Sequence, residues 1–176
     1  MLGIDPGIER TGWGVVDCRG QGFASIGYGC IVTPKTDSLP KRLLAIYEGL
    51  LNVIERYRPD IVAAEQIFFA SNAKSAISVG HSRGVCLFLA GSKDLPVEEV
   101  TPLQVKSTVV GYGSATKEQV GLMVKQILGL TDVPKPDDTC DALAVAIAAG
   151  VQRSFSAHLA QSQGRSGRAS RSEEEP

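Results

Sequence analysis

Hydrophobic and polar positions divide the first part of the chain into three short strands. Apolar and β-branched residues, with glycines among them, fill residues 1–5, 12–17 and 22–33. An Asp-Pro-Gly sequence separates the first two stretches, and a Cys-Arg-Gly sequence separates the second from the third. Runs of this kind, bounded by turn-forming residues, predict three consecutive strands in an antiparallel meander.

The rest of the chain alternates between helical and strand patterns. Apolar side chains recur at helical spacing after the meander, and Thr116 and Gln119 match a capping box before a later helical stretch. The predicted elements are a helix over 40–58, a strand over 61–65, a helix over 71–91, a strand over 96–100, and helices over 116–128 and 138–151. This order predicts an α/β fold with a five-stranded mixed sheet: the meander on one side, parallel strands on the other, and helices on both faces.

Composition indicates one domain followed by a polar tail. The chain has 176 residues, of which 43% are hydrophobic, enough for a single core. Residues 1–158 are predicted to form that domain, and residues 159–176, rich in Ser, Arg and Glu with no apolar period, a disordered tail. No apolar run is long enough to span a membrane and no secretory signal precedes the domain, so we expect a cytoplasmic protein. The net charge of −1 identifies no partner.

Two predicted parallel strands each end in a carboxylate. Asp5 ends the run LGID, and Glu65 ends the run IVAAE. Polar sites of open α/β sheets gather at the carboxyl ends of parallel strands, so the two side chains are expected to be neighbours. Each also has a structural interpretation, because Asp5 can cap the Pro-Gly turn and Glu65 can mark the point where a strand leaves the core.

The last predicted helix opens with three further acids, Asp137, Asp138 and Asp141. Acids in a first helical turn also suit the helix dipole. Asp141, however, precedes an entirely apolar stretch over 142–149, and Asp138 shares its face. Carboxylates buried together require a cation, and oxygen ligands without a His or Cys cluster favour Mg²⁺ or Mn²⁺. A pair of such ions would suit phosphoryl displacement.

Four sequence runs resemble one family. In order, and over nearly all of residues 1–158, they are LGIDPGIERTGWGVV, EQIFFASNAKSAISVGHSRG, TPLQVKSTVVGYGSATKEQV and PDDTCDALAVAIA. Together they resemble the RuvC Holliday-junction resolvases. The resemblance implies an RNase H-like fold and a homodimer that resolves four-way DNA junctions in recombination and repair by paired, symmetric, Mg²⁺-dependent hydrolysis of phosphodiester bonds. It also implies RuvA- and RuvB-type branch-migration proteins as partners.

The resemblance assigns the catalytic, metal-binding acids. It points to Asp5, Glu65, Asp138 and Asp141, because the family pattern has a ligand three residues before the last aspartate. Asp137 is the competing choice for the third acid on the residues alone.

The resemblance and the local sequence also suggest DNA contacts. Phe68, in the loop after the second acid, is expected to insert at the junction centre, and Phe69 and Asn72 of the same loop are further DNA-binding candidates. Core packing is the alternative for Phe69. Lys106 and Lys117 are expected to contact the DNA backbone near the cut, although a solvated surface lysine is the simpler interpretation without the family.

The predicted helix over 71–91 bears on assembly. Apolar residues cover nearly all of its circumference, so one sheet face cannot bury them all. Gly80 and Gly84 would let a partner backbone approach closely, which favours a two-fold dimer. The alternative is a helix enclosed within a single larger core. His81 and Arg83 lack metal-ligand spacing and are interpreted as interface or DNA-facing groups.

Three rival functions remain on the sequence. The Asp-Pro-Gly turn followed by Thr-Gly also resembles the first phosphate loop of sugar kinases and actin-like ATPases, which need a second lobe that 176 residues do not supply. Putative RNase H-like resolvases linked to ribosomal RNA processing share the IDPG opening but lack the EQIFFASN loop. The third is a junction-binding module without catalysis, which the four intact acids argue against.

Overall fold

The computed structural model describes residues 1–18, 22–66 and 73–169. These contain five strands and five helices. In chain order they are β1 (Leu2–Asp5), β2 (Arg10–Asp17), β3 (Ala24–Val32), α1 (Leu39–Tyr57), β4 (Val62–Glu65), α2 (Ala73–Ser92), β5 (Val97–Val100), α3 (Pro102–Val110), α4 (Lys117–Ile127) and α5 (Asp137–Ala169).

The five strands form one mixed sheet in the order β3-β2-β1-β4-β5. The pairs β1–β2 and β2–β3 are antiparallel, and the pairs β1–β4 and β4–β5 are parallel. Antiparallel neighbours need only short turns, whereas parallel neighbours need a crossover, which α1 supplies before β4 and α2 before β5. The predicted sheet, with its meander on one side and parallel strands on the other, is confirmed.

Helices cover both faces of the sheet, as predicted. On one face, side chains of α1 and α2 such as Ile46 and Leu89 pack with Leu2 and Ile4 of β1. On the other face, α3, α4 and α5 enclose a second cluster that includes Ala63 of β4. Because side chains of a strand alternate between faces, even a strand of four residues contributes side chains to both clusters.

Helix α5 lies unusually close to the sheet because glycines face it. A Cβ atom on Gly3 would overlap the backbone of Ala142, and a Cβ on Gly12 would overlap the backbone of Asp138. The missing side chains let the helix backbone rest directly on β1 and β2. This approach fixes the first turns of α5 above the carboxyl end of β1.

Two helices differ from the sequence prediction. Helix α3 was not predicted separately, although Thr101 and Gln104 form a capping box at its start. Helix α5 was predicted to end near Val151 but continues to Ala169. No proline interrupts it, and adding a residue to an existing helix needs no new nucleation. The division into a domain over 1–158 and a tail over 159–176, with the disorder expected of that tail, stays a prediction.

Candidate active site

Asp5 and Glu65 lie side by side at the carboxyl ends of two parallel strands. Ile4 pairs with Ala64 across β1 and β4, and each acid is the next residue of its strand. Side chains two positions apart share a face, and Gly3 and Ala63 face α5. Both acids therefore project from the sheet edge on the side that α5 covers.

The turn after Asp5 is held by side-chain hydrogen bonds. The Thr11 hydroxyl donates to the Gly7 carbonyl at 2.7 Å, and the Thr33 hydroxyl donates to the Ile8 carbonyl. The Arg42 Nε atom in turn donates to Thr33 Oγ1 at 2.8 Å. These bonds anchor the Pro-Gly turn to β2, to the segment after β3 and to α1, so the position of the first acid is set by three parts of the fold.

Asp138 and Asp141 face this sheet edge from the first turns of α5. Gly12, the partner of Asp5 in β2, is the glycine against which the Asp138 backbone rests. The two aspartate side chains are 29% and 28% exposed, so both are largely withdrawn from water. The expectation that Asp141 packs toward the sheet is confirmed.

Asp137 stands apart from this group. Its side chain is 65% exposed and forms an ion pair with Lys135 at 2.7 Å. The hydrogen bond from Lys135 lowers the pKa of the Asp137 carboxyl below its ordinary value. Of the two neighbouring acids, Asp138 is therefore the one that the fold directs toward Asp5.

The carboxylates oppose one another's ionisation. The pKa of Asp5 is raised to about 7, chiefly by burial and then by the charges of Asp141, Glu65 and Asp138, while Lys117 acts in the opposite direction. Burial, followed by the charge of Asp141, also raises the pKa of Glu65. Close carboxylates in a poorly hydrated site repel, so the group favours a bound cation.

Two basic side chains partly neutralise the acids. The Lys117 Nζ atom donates to Asp141 Oδ2 at 2.8 Å, and an Arg10 guanidinium nitrogen lies 3.7 Å from Asp138 Oδ2. Lys117 is the first residue of α4, and the Thr116 hydroxyl caps that helix in the predicted capping box. Lys106 of α3 also lowers the pKa of Glu65 through its charge. Predicted Lys106 and Lys117 therefore both lie near the acids, and Arg10 is a further basic residue that sequence reasoning missed.

A metal ion fits this site by donor chemistry. Its acids supply only oxygen donors, as Mg²⁺ and Mn²⁺ prefer. In the described parts of the chain, however, no three His, Cys, Asp or Glu side chains are grouped closely enough to hold one ion. The acids can raise one another's pKa without being grouped this closely, because charge repulsion acts over longer distances than a coordination bond. The side chains share a patch, and the carboxylates paired with Lys117 and Arg10 would have to turn to bind an ion.

Open grooves flank the acids. One, with a volume of 640 Å³, is lined by Gly7, Arg10, Ser78 and Asp138 among others. A second cleft, of 340 Å³, is lined by residues that include Lys117, Lys135 and Asp141. Each opening is therefore bordered by one of the acids and by basic side chains, which suits an anionic ligand.

Some predicted site residues stay predictions. Phe68, Phe69 and Asn72 lie outside the described residues, so their DNA contacts stay predictions. Arg83 was interpreted as an interface or DNA-facing residue, which stays a prediction; within the chain its guanidinium turns toward the sheet, where the Glu65 carbonyl and the Glu99 carboxylate provide acceptors.

The sheet order, the helices on both faces and the acids at the ends of β1 and β4 define an RNase H-like nuclease. The family model for crossover junction endodeoxyribonuclease RuvC matches residues 1–149. The chain therefore belongs to the RuvC family. It is a crossover junction endodeoxyribonuclease that resolves four-way junctions in DNA recombination, so the activity predicted from the four sequence runs is confirmed.

Individual relatives agree with this assignment. The RuvC of Desulforamulus reducens is 49% identical over 147 residues, which cover 84% of this chain and 90% of the relative. A structure of T. thermophilus RuvC in complex with Holliday junction substrate superposes with a TM-score of 0.79 and 38% identity, covering 84% of this chain and 90% of that chain. A second Thermus thermophilus RuvC structure gives 0.80 and 37%, over 88% and 97%.

Family membership decides against the alternatives. A sugar kinase, an actin-like ATPase or a resolvase linked to ribosomal RNA processing would belong to another family. Because the RuvC family consists of nucleases, a module that only binds junctions is excluded as well. Among the described residues, no helix is both long and apolar enough to cross a membrane.

Proposed function

We propose that Asp5, Glu65, Asp138 and Asp141 are the catalytic acids and that they bind a pair of Mg²⁺ ions, which Mn²⁺ can replace in assays. The observation that carries the proposal is geometric: Asp5 and Glu65 end neighbouring parallel strands, and the first turns of α5 hold two further carboxylates above them. The raised pKa of Asp5, caused by burial and then by the charges of the other three acids, supports it. When bound, the ions would lower the pKa of the attacking water and stabilise the leaving oxygen. The four carboxylates would hold the ions at the sheet edge.

Basic residues would position the DNA. In the proposal, Lys117 leaves Asp141 when cations neutralise the acids and then contacts a phosphate oxygen near the cut, with Lys106 beside it. Phe68, Phe69 and Asn72 would contact the bases at the junction centre, as the family resemblance implies.

Paired cleavage calls for two active sites. Ile77 and Phe88 of α2 are exposed, and a Cβ atom on Gly80 or Gly84 would meet nothing within 4 Å. We therefore propose that α2 forms the interface of a homodimer whose two-fold axis matches that of the junction. RuvA- and RuvB-type proteins as partners and a cytoplasmic location, the compartment of bacterial DNA, complete the proposal.

The test uses three substrates: a synthetic four-way junction, a linear duplex and a structured RNA, each with and without Mg²⁺. We expect paired nicks in the junction alone and only with the ion. Asp5→Asn should abolish cleavage and spare junction binding. Parallel loss of cleavage and binding in a folded Asp5→Asn protein would contradict a catalytic role for this residue.

A further inference from the structure

Arg83 joins the ends of two strands beside the active site. It lies in the middle of α2, and its side chain is only 17% exposed. The Nε atom donates to the backbone carbonyl of Glu65 at 3.2 Å. Another guanidinium nitrogen, Nη2, pairs with the carboxylate of Glu99 in β5. One planar side chain therefore binds the last residue of β4 and the neighbouring strand at the same time.

The carbonyl that Arg83 holds lies where the strand pairing ends. Glu65 pairs with Val100 as the last register position of β4 and β5, and the Gln66 amide donates to the Val100 carbonyl at 2.8 Å. The Glu65 carbonyl points instead toward β1, which is followed by Pro6, a residue without an amide hydrogen to donate. The orientation of a side chain follows that of its own peptide, so the hydrogen bond from Arg83 bears directly on where the Glu65 carboxylate points.

Arg83 and the acids lie on opposite faces of the sheet. Glu65 projects toward α5, whereas Glu99 projects toward α2, because Glu98, one residue earlier, pairs with Arg153 of α5. Arg83 thus holds the Glu65 peptide from the face opposite the carboxylates. It can fix that peptide without adding a positive charge among the acids, and Glu99 neutralises it there.

We propose that Arg83 is a positioning residue that fixes the peptide of Glu65 and thereby the direction of its carboxylate. This inference rests on the proposed function, in which Glu65 binds the metal. Groups that orient a metal ligand tune metal affinity as well as rate. A lysine keeps the charge of Arg83 but not the planar fork that reaches two acceptors at once.

The experiment compares Arg83→Gln, Arg83→Lys and Glu99→Gln in the full chain. Arg153→Gln is the matched control, because Arg153 pairs with Glu98 of the same strand, at 3.0 Å, but from α5 on the other face of the sheet. Mn²⁺ affinity is measured without DNA by electron paramagnetic resonance. The Mg²⁺ midpoint of junction cleavage, junction affinity in EDTA and the melting temperature are measured alongside.

We expect Arg83→Gln to weaken Mn²⁺ binding and raise the Mg²⁺ midpoint by about tenfold, within the range for groups that orient ligands. Cleavage should recover at high Mg²⁺, while junction affinity in EDTA stays unchanged. Arg83→Lys should restore only part of the metal affinity, Glu99→Gln should lose less than Arg83→Gln, and Arg153→Gln should match the wild type.

Wild-type Mn²⁺ affinity in a folded Arg83→Gln protein would overturn the inference. If that variant does not fold, wild-type affinity in Arg83→Lys overturns it equally. Glu65→Gln separates this failure from failure of the proposed function. If Glu65→Gln loses Mn²⁺ binding and Arg83→Gln does not, the proposed metal site stands and only the role of Arg83 is rejected. If Glu65→Gln also binds Mn²⁺ with wild-type affinity, both proposals are rejected.

Discussion

At the scale of single residues, Asp5 makes the stability of the metal-free protein depend on pH. Its carboxyl has a pKa of about 7 in the fold, against 3.8 as the ordinary value. Below the lower value both folded and unfolded chains are protonated, so the group has no effect. Between the two values the unfolded chain releases the proton first, so stability falls as pH rises. We expect a loss of about 2 kcal/mol from Asp5 between about pH 4 and pH 7, after allowing for partial hydration.

Asp5→Asn should remove much of this slope and raise the stability of the metal-free protein at neutral pH. Urea unfolding in EDTA at several pH values measures the effect. Asp137→Asn is the control, because Asp137 lies at the same end of α5 but is exposed and paired with Lys135. A slope that is unchanged in Asp5→Asn would show that burial and repulsion do not raise the pKa of this carboxyl.

Lys117 provides a second prediction at this scale. Lys117→Gln should lower the rate of junction cleavage by about tenfold or more, because it removes a charge that would meet the phosphate near the cut. Stability should change by less than about 1 kcal/mol, since its ion pair with Asp141 is exposed on the lysine side. Single-turnover cleavage and urea unfolding measure the two effects.

Lys135→Gln is the matched control for Lys117→Gln. Lys135 lines the same cleft as Lys117, but its ion pair is with Asp137 rather than with an acid of the proposed centre. Equal losses of rate in the two variants would indicate a general effect of charge on DNA binding instead of a specific contact near the cut.

At the scale of elements, the close approach of α5 to the sheet makes Gly12 critical. Gly12→Ala should destabilise the protein by about 1–3 kcal/mol or more, because the new methyl group meets the backbone of Asp138, which cannot move without the helix. The same displacement should weaken cleavage, since it moves two acids. Gly91→Ala in α2, where a Cβ meets nothing within 4 Å, is the control. Denaturant unfolding that gives equal stability for both variants would refute this account.

The elements also show which features a sequence can predict. Helix α1 has a clear apolar period, and the box of Thr116 and Gln119 marks the start of α4, so both were predictable. Thr101 and Gln104 form the same kind of capping box at the start of α3, so this helix was predictable as well. The continuation of α5 could not be predicted from hydrophobic periodicity, because residues such as Phe155 are exposed and follow no apolar pattern.

The candidate site was predictable to the extent that it depends on strand ends. Asp5 and Glu65 could be placed together because carboxyl ends of parallel strands meet at one edge of the sheet. The contacts of Arg10 with Asp138 and of Arg83 with Glu65 join elements far apart in the sequence. No local pattern encodes such a contact, since it depends on how helices cross the sheet.

At the scale of the whole molecule, α2 should control whether the two cuts are paired. Phe88 is 67% exposed on this helix, and burying such a side chain against a second copy would favour association. Phe88→Glu should produce monomers, because the dimer would have to bury an unpaired carboxylate. Each monomer keeps its acids, so junctions should be nicked in one strand instead of being cut in two.

Leu44→Glu is the control for this prediction, because Leu44 is 54% exposed but lies on α1. Light scattering after size-exclusion chromatography gives the mass of each variant, and a cruciform plasmid distinguishes single nicks from linear product. The nicked circle should accumulate with Phe88→Glu and not with Leu44→Glu. A monomeric Phe88→Glu protein that still linearises the plasmid at the wild-type rate would separate paired cutting from dimerisation, and the symmetry argument would then be wrong.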